Sequence, residues 1–187
     1  MNIDQIISDT LNLEGAVADV KGDRGGYTAF GISRRYWPGW KGWDIIDAMI
    51  AAGKPVTLTP QLRALVIKFY VDEFWIKMKL GACESAYIAQ VLFDFGFNAG
   101  VDDVWRVVSK ICMAVTGSTP ANLMDGMKKI NVIAGSVGEA NVVTMIQSVR
   151  VVKALDECIA DQSQKQFLKG WLNRVRHLFT ITIFRKD

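Results

Sequence analysis

Glu14, Asp23 and Thr28 are the residues whose types and spacing can do chemistry together. Glu14 closes an apolar helical pattern, Asp23 follows in a Gly-rich turn, and Thr28 stands shortly beyond it. A carboxylic acid, a carboxylate and a hydroxyl around a gap can cleave a glycosidic bond. The acid protonates the leaving oxygen, the carboxylate activates water, and the hydroxyl orients that water. Position 14 suits the acid. Ile3, Ile7, Leu11 and Glu14 share one helix face. Desolvation at the end of such a stripe disfavours the charged carboxylate, and the negative end of the helix dipole acts the same way. Each residue also has an ordinary use: a Glu near a helix end is more often solvated or salt-bridged, and Asp in a Gly-rich turn commonly bonds its own backbone. Asp19 is a competing carboxylate on the same stretch.

The elements that must position these groups are legible nearby. Asn2 with Gln5 forms a capping-box pattern, and Gly15 supplies the helix stop. Val17 and Val20 flank polar residues, Lys21 to Gly26 read as a turn, and Tyr27 to Ile32 as a strand. A small hairpin or three-stranded ribbon is predicted, its turn bringing Asp23 and Thr28 to one side, across a gap from Glu14. A base set back beyond a Gly-rich turn leaves room for a water, so inversion at the anomeric carbon is expected.

Glu14-Gly15 followed by Asp23-x-Gly25-Gly26-x-Thr28-x-x-Gly31-Ile32 resembles the EGG…DxGGxTxxGI signature of glycoside hydrolase family 108. The Glu-to-Asp spacing is also similar to the Glu…Asp…Thr triad of phage-type lysozymes, with a shorter Asp-to-Thr interval. Downstream, Phe69-Tyr70-x4-Trp75 resembles the family's Tyr-x3-Tyr-Trp helix, and Phe93-Asp94-x3-Asn98-x-Gly100 its FDxxxNxG segment. Phe167 to Val175 is similar to the FLxGWLNRV close of its C-terminal, predicted peptidoglycan-binding region. Ala16 replaces the second Gly of EGG, and Arg24 stands where Pro is common. The resemblance implies a lysozyme-like N-acetylmuramidase, as in phage endolysins and secretion-associated muramidases, cleaving the β-1,4 bond between N-acetylmuramic acid and N-acetylglucosamine. On it, Glu14 is the acid, Asp23 the base, Thr28 the water-positioning group, and Tyr27, Tyr70 and Asn98 substrate-binding residues. Two other classes stay open: a non-catalytic wall-binding protein on the same scaffold, and a lytic transglycosylase working with a lone acid.

Composition fits that frame. The 187 residues are half apolar, enough for a sizeable core, and carry a net charge of +3. Mild basicity suits an anionic polymer such as peptidoglycan. The basic residues are scattered, which argues against a nucleic-acid partner. Cys83, Cys112 and Cys158 are odd in number and widely spaced, and His177 is the single histidine. No metal site, disulfide framework or cofactor is therefore expected. The opening MNIDQII has no basic region ahead of its apolar residues, and no run of about 18 apolar residues exists, so neither a signal peptide nor a membrane span is predicted. The expectation is synthesis in the cytoplasm and action on the wall, in the periplasm or outside, reached through a holin or a secretion route.

The fold class expected is mainly α, a helical bundle with one small β ribbon near the N-terminus. It comprises a catalytic region over 1–110 and a helical C-terminal region over 111–187, packed as one compact unit. Tyr36, Trp37, Trp40 and Trp43 form an aromatic cluster that reads chiefly as packing. Helices are predicted over 44–52, from Thr59-Pro60 to about Trp75, and over 85–98. Further helices are expected from Asp102 or Asp103 to Gly117, from Thr119-Pro120 onward, and as two helices between 139 and 179 broken near 161–164. Residues 130–138 and the tail 179–184 remain open.

Overall fold

The computed structural model describes residues 3–18 and 26–183, the side chains of Glu14 and of residues 181–183 excepted. These residues form eight α-helices and one three-stranded antiparallel sheet, the mainly-α plan with a small ribbon that the sequence predicts. The chain divides into two compact units, one ending at Asp72 and one beginning at Glu73.

In the first unit, α1 (Ile3–Glu14) buries Ile6, Ile7, Thr10 and Leu11. The helix stops where predicted, because Gly15 takes φ +71°, a left-handed position open to glycine. β1 (Val17–Ala18) pairs antiparallel with β2 (Thr28–Ala29), and β2 with β3 (Ile32–Ser33), so that Thr28 lies opposite both Ala18 and Ser33. The single strand expected over 27–32 is thus two strands. The chain reverses at Phe30-Gly31, whose φ values of +50° and +74° are the two positive angles that a tight two-residue hairpin turn needs. α2 (Gly42–Ala51) and α3 (Pro60–Tyr70) follow. Thr59 caps α3, its hydroxyl accepting from the Leu62 N–H at 3.3 Å, with Pro60 at the first helical position. The helical path continues through a π turn, Val71–Trp75. α3 packs against both α1 and α2.

The second unit is built on α4 (Ala86–Ala99), capped by Ser85 and buried at every position from Ile88 to Gly96. A helix apolar all round belongs inside, and α5 (Val101–Thr116) and α7 (Glu139–Ala160) pack on it. α6 (Leu123–Val137) packs on α5 and α7, and α8 (Lys165–Ile183) lies along α7 after a 3₁₀ turn at Gln162–Gln164. Residue 110, the boundary expected from the sequence, lies inside α5.

Two starts and one gap differ in detail from expectation. α5 begins on Gly100, at φ +101°, with no side-chain cap from Asp102 or Asp103. α6 is capped by Asn122, which accepts from the Asp125 N–H at 3.0 Å, so Thr119-Pro120 precedes the helix. The helix then runs unbroken through Gly126 and Gly135. Gly126 is there for packing: a Cβ would stand 2.6 Å from Cγ1 of Val108 on α5. The tail, open in the sequence, is helical to Ile183.

One ion cluster ties this unit together. Asp94 on α4 is wholly buried and accepts from Arg150 Nη1 on α7 at 2.6 Å. It also accepts from Nε and Nη2 of Arg174 on α8, at 2.8 and 2.5 Å. The two sequence segments around Asp94 and Arg174, eighty positions apart, meet here. Burial alone would push the Asp94 carboxyl up, but the two guanidiniums outweigh it and hold the carboxyl below its ordinary value.

Candidate active site

Thr28 is the member of the predicted trio whose side chain is described. It sits in the middle strand of the ribbon, half-buried, and its Oγ1 donates to the Gly26 carbonyl at 3.0 Å. That bond commits the one hydroxyl proton and leaves the oxygen lone pairs to accept. A hydroxyl so held can take a hydrogen bond from a water and fix its orientation. Gly26 itself takes φ +61°, a turn conformation that side chains rarely adopt.

Glu14 is the last residue of α1, as predicted. It falls two turns beyond the wholly buried Ile7, in the phase of the stripe. Its side chain, and all of Asp19 and Asp23, lie outside the described residues.

Tyr27 precedes the strand and packs its ring against Trp43, centroids 6.0 Å apart. Trp43 is the hub of the aromatic cluster. It is 3% exposed, its indole N–H donates to the Trp37 carbonyl at 2.7 Å, and Trp40 meets it edge-on at 5.2 Å. Trp37 in turn meets Phe69 edge-on at 4.9 Å. The guanidinium of Arg34 lies over the Trp43 ring at 5.1 Å and grips Asp47 with two bonds of 2.6 and 2.7 Å. These rings pack on one another, as expected of most of them, and Tyr36 alone of the four is largely exposed, at 61%.

Tyr70 is enclosed by protein, and its hydroxyl donates to the Phe30 carbonyl at 2.9 Å. Here it serves the ribbon. It holds the Phe30-Gly31 turn, where a bulky residue sits at positive φ at some energetic cost. The sequence reading missed this use of Tyr70. Phe at the first turn position carries no turn signature, and only Gly31 marked the reversal. Asn98 lies near the end of α4 in the second unit. It is exposed at the residue level, and its amide donates back to the Asp94 carbonyl one turn earlier at 2.7 Å. Among the described residues no group of His, Cys, Asp and Glu is arranged to hold a metal ion.

Residues 7–100, just over half of the chain, match the family described as Glycosyl hydrolase 108. The chain belongs to this family. The matched segment contains α1 from Ile7, the whole ribbon and the Asp94–Gly100 segment. Family 108 membership makes the protein a glycosidase and implies a peptidoglycan substrate. A solved structure, that of Brucella abortus SagA, is similar with a TM-score of 0.67 at 18% identity, covering 99% of this chain and 97% of that one. At that identity the likeness is one of fold, and it extends over residues beyond the family match. No curated protein sequence matches the chain. Among the described residues no helix is long and apolar enough to cross a membrane.

Proposed function

We propose that this family 108 glycosidase is an N-acetylmuramidase, hydrolysing the β-1,4 bond between N-acetylmuramic acid and N-acetylglucosamine in peptidoglycan. The observation that carries the reading is the family match across Glu14 to Thr28. The Thr28 hydroxyl, its proton already given to Gly26, supports it as a water acceptor. Glu14 protonates the leaving oxygen. Asp23 takes a proton from water as it attacks the anomeric carbon, and Thr28 accepts that water's second hydrogen. The charge balance closes when Glu14 is reprotonated and Asp23 releases its proton. Tyr27, on the Trp43 platform, offers a ring beside the strand, and Asn98 an amide oxygen for a sugar hydroxyl. Tyr70 contributes through the turn it holds. With water between the two carboxyls, the first-formed sugar is the α anomer. A holin or a dedicated secretion route brings the enzyme to the wall.

Mass spectrometry of digested peptidoglycan tests this. Fragments with N-acetylmuramic acid at a reducing end are expected. Anhydro ends would make the enzyme a lytic transglycosylase, and intact wall would make it a binding protein. NMR of the first-formed anomer checks the stereochemistry, and a β product would contradict an inverting pair.

A further inference from the structure

Between α5 and α7 of the second unit lies a groove of about 380 Å³, near the lower end of the roughly 300–1,000 Å³ of small-ligand sites. It uses no residue of the 14–33 stretch, and of its lining only Phe95 falls within the family match. One wall is a single face of α5, with Asp103, Arg106, Val107 and Lys110 spaced at i, i+3, i+4 and i+7. The facing wall on α7 carries Lys153, Asp156 and Glu157, with Val152 beside them, 56% exposed.

The charges are three acids and three bases, so the groove is net neutral. Four of the six are linked in a chain. Asp103 accepts from Arg106 at 2.9 Å and faces the Lys153 ammonium at 3.3 Å, and Lys153 reaches Glu157 at 3.2 Å. The other two, Lys110 on α5 and Asp156 on α7, are exposed and take no side-chain partner among the described residues. One wall therefore presents an unpaired ammonium and the other an unpaired carboxylate, with valines between them. A polyanion would meet three acids here, and a free cation three bases. A neutral sugar can hydrogen-bond to both groups but neutralises neither charge. A ligand carrying one amine and one carboxylate on a short apolar frame satisfies both.

We propose that this groove binds a short zwitterionic peptide, its carboxylate at Lys110, its amine at Asp156, and a small apolar side chain against Val152. Such a peptide has two sources, one free in solution and one attached to a wall polymer. The proposal stands apart from the muramidase reading, because binding here needs none of the catalytic trio.

The test is a titration of the full chain, followed by NMR, with the peptide Ala-Val-Ala bearing free termini. Its counterpart is the same peptide with both termini capped. Saturable binding of the charged peptide is expected, with shifts confined to α5 and α7, and much weaker binding of the capped one. Lys110→Glu and Asp156→Lys should each weaken binding roughly fivefold, the upper range for one exposed ion pair. The double variant should recover part of the loss. Both positions are exposed, and circular dichroism melting checks that the variants fold; Lys110→Met and Asp156→Asn are the milder pair if either does not. Absence of saturable binding at millimolar peptide, or binding indifferent to both substitutions, overturns the proposal. Co-sedimentation with cell-wall sacculi, before and after an amidase strips their peptides, separates the sources. Retention that falls on stripping and depends on Lys110 assigns the wall-attached peptide. Unchanged retention beside intact peptide titration assigns the free one. Glu14→Gln protein serves in the sedimentation, so failure of wall hydrolysis and failure of peptide binding are read independently.

Discussion

Glu14→Gln keeps the size of the side chain and removes the proton it is proposed to give. General acid catalysis is worth roughly 10²–10⁴-fold, about 3–5 kcal/mol of barrier. A loss of that order in a turbidity assay, at unchanged melting temperature, is the expected result. Activity near wild type would remove Glu14 from the role. The partner carboxylate is decided by a pair of substitutions. Asp23 stands beside Gly25-Gly26, where missing side chains let a substrate approach, and Thr28 returns on the next strand. Asp23→Asn should therefore lower turnover while leaving the melting temperature alone, and Asp19→Asn should mainly lower the melting temperature. The reverse pattern moves the base to Asp19. At this scale the sequence proposed the trio through the spacing of a motif. It was blind to what Thr28 does with its proton, since that depends on the Gly26 carbonyl coming within 3.0 Å.

In the Phe30-Gly31 turn and in α6, single substitutions isolate one contact each. Tyr70→Phe deletes only the hydroxyl that holds the Phe30 carbonyl. An unsatisfied buried acceptor costs about 1–3 kcal/mol, and urea denaturation should show a loss of that size. A raised KM at unchanged stability would instead make Tyr70 a substrate contact. In α6 the two glycines should respond with opposite signs. A Cβ at Gly135 meets nothing within 4 Å, so Gly135→Ala should stabilise by up to about 1 kcal/mol through helix propensity. Gly126→Ala adds the same propensity but drives a methyl to 2.6 Å from a Val108 branch that has little freedom to move. Overpacking of this kind costs about 1–3 kcal/mol, so Gly126→Ala should lower the melting temperature, and Val108→Ala in the same chain should relieve the clash. From the sequence Gly135 and Gly138 looked like helix breakers, which left residues 130–138 without an assignment. The cap Thr59 was legible, because a cap acts on its own neighbours. Asn122 was overlooked for Thr119-Pro120, an equally good local signal a few residues upstream.

Across the whole second unit, the Asp94–Arg150–Arg174 cluster makes stability depend on pH. The carboxyl is held below its ordinary value in the folded chain. Its contribution is therefore complete above the unfolded carboxyl pKa of about 3.9 and is lost as pH falls through the lower, folded one. Thermal melts should be insensitive to this group from neutrality to mild acid and decline below about pH 4. Asp94→Asn should abolish that share of the decline and destabilise the chain at neutral pH by about 3–5 kcal/mol, since it leaves two arginines facing a neutral amide. A smaller loss, with the acid limb unchanged, would mean that the cluster is not what fails in acid. By itself the sequence determined the helical periods, the stop at Gly15, the cap at Thr59, and the family of the chain. All of these are read between residues a few positions apart or from an ordered motif. Only the tertiary structure decided that Tyr70 serves the ribbon, that Gly126 is a packing site, that Asp94 is gripped by Arg174, and that α5 and α7 leave Lys110 and Asp156 across a groove. Those facts depend on which helix faces meet, and contact between residues far apart in the chain leaves no periodic or local trace in any one segment.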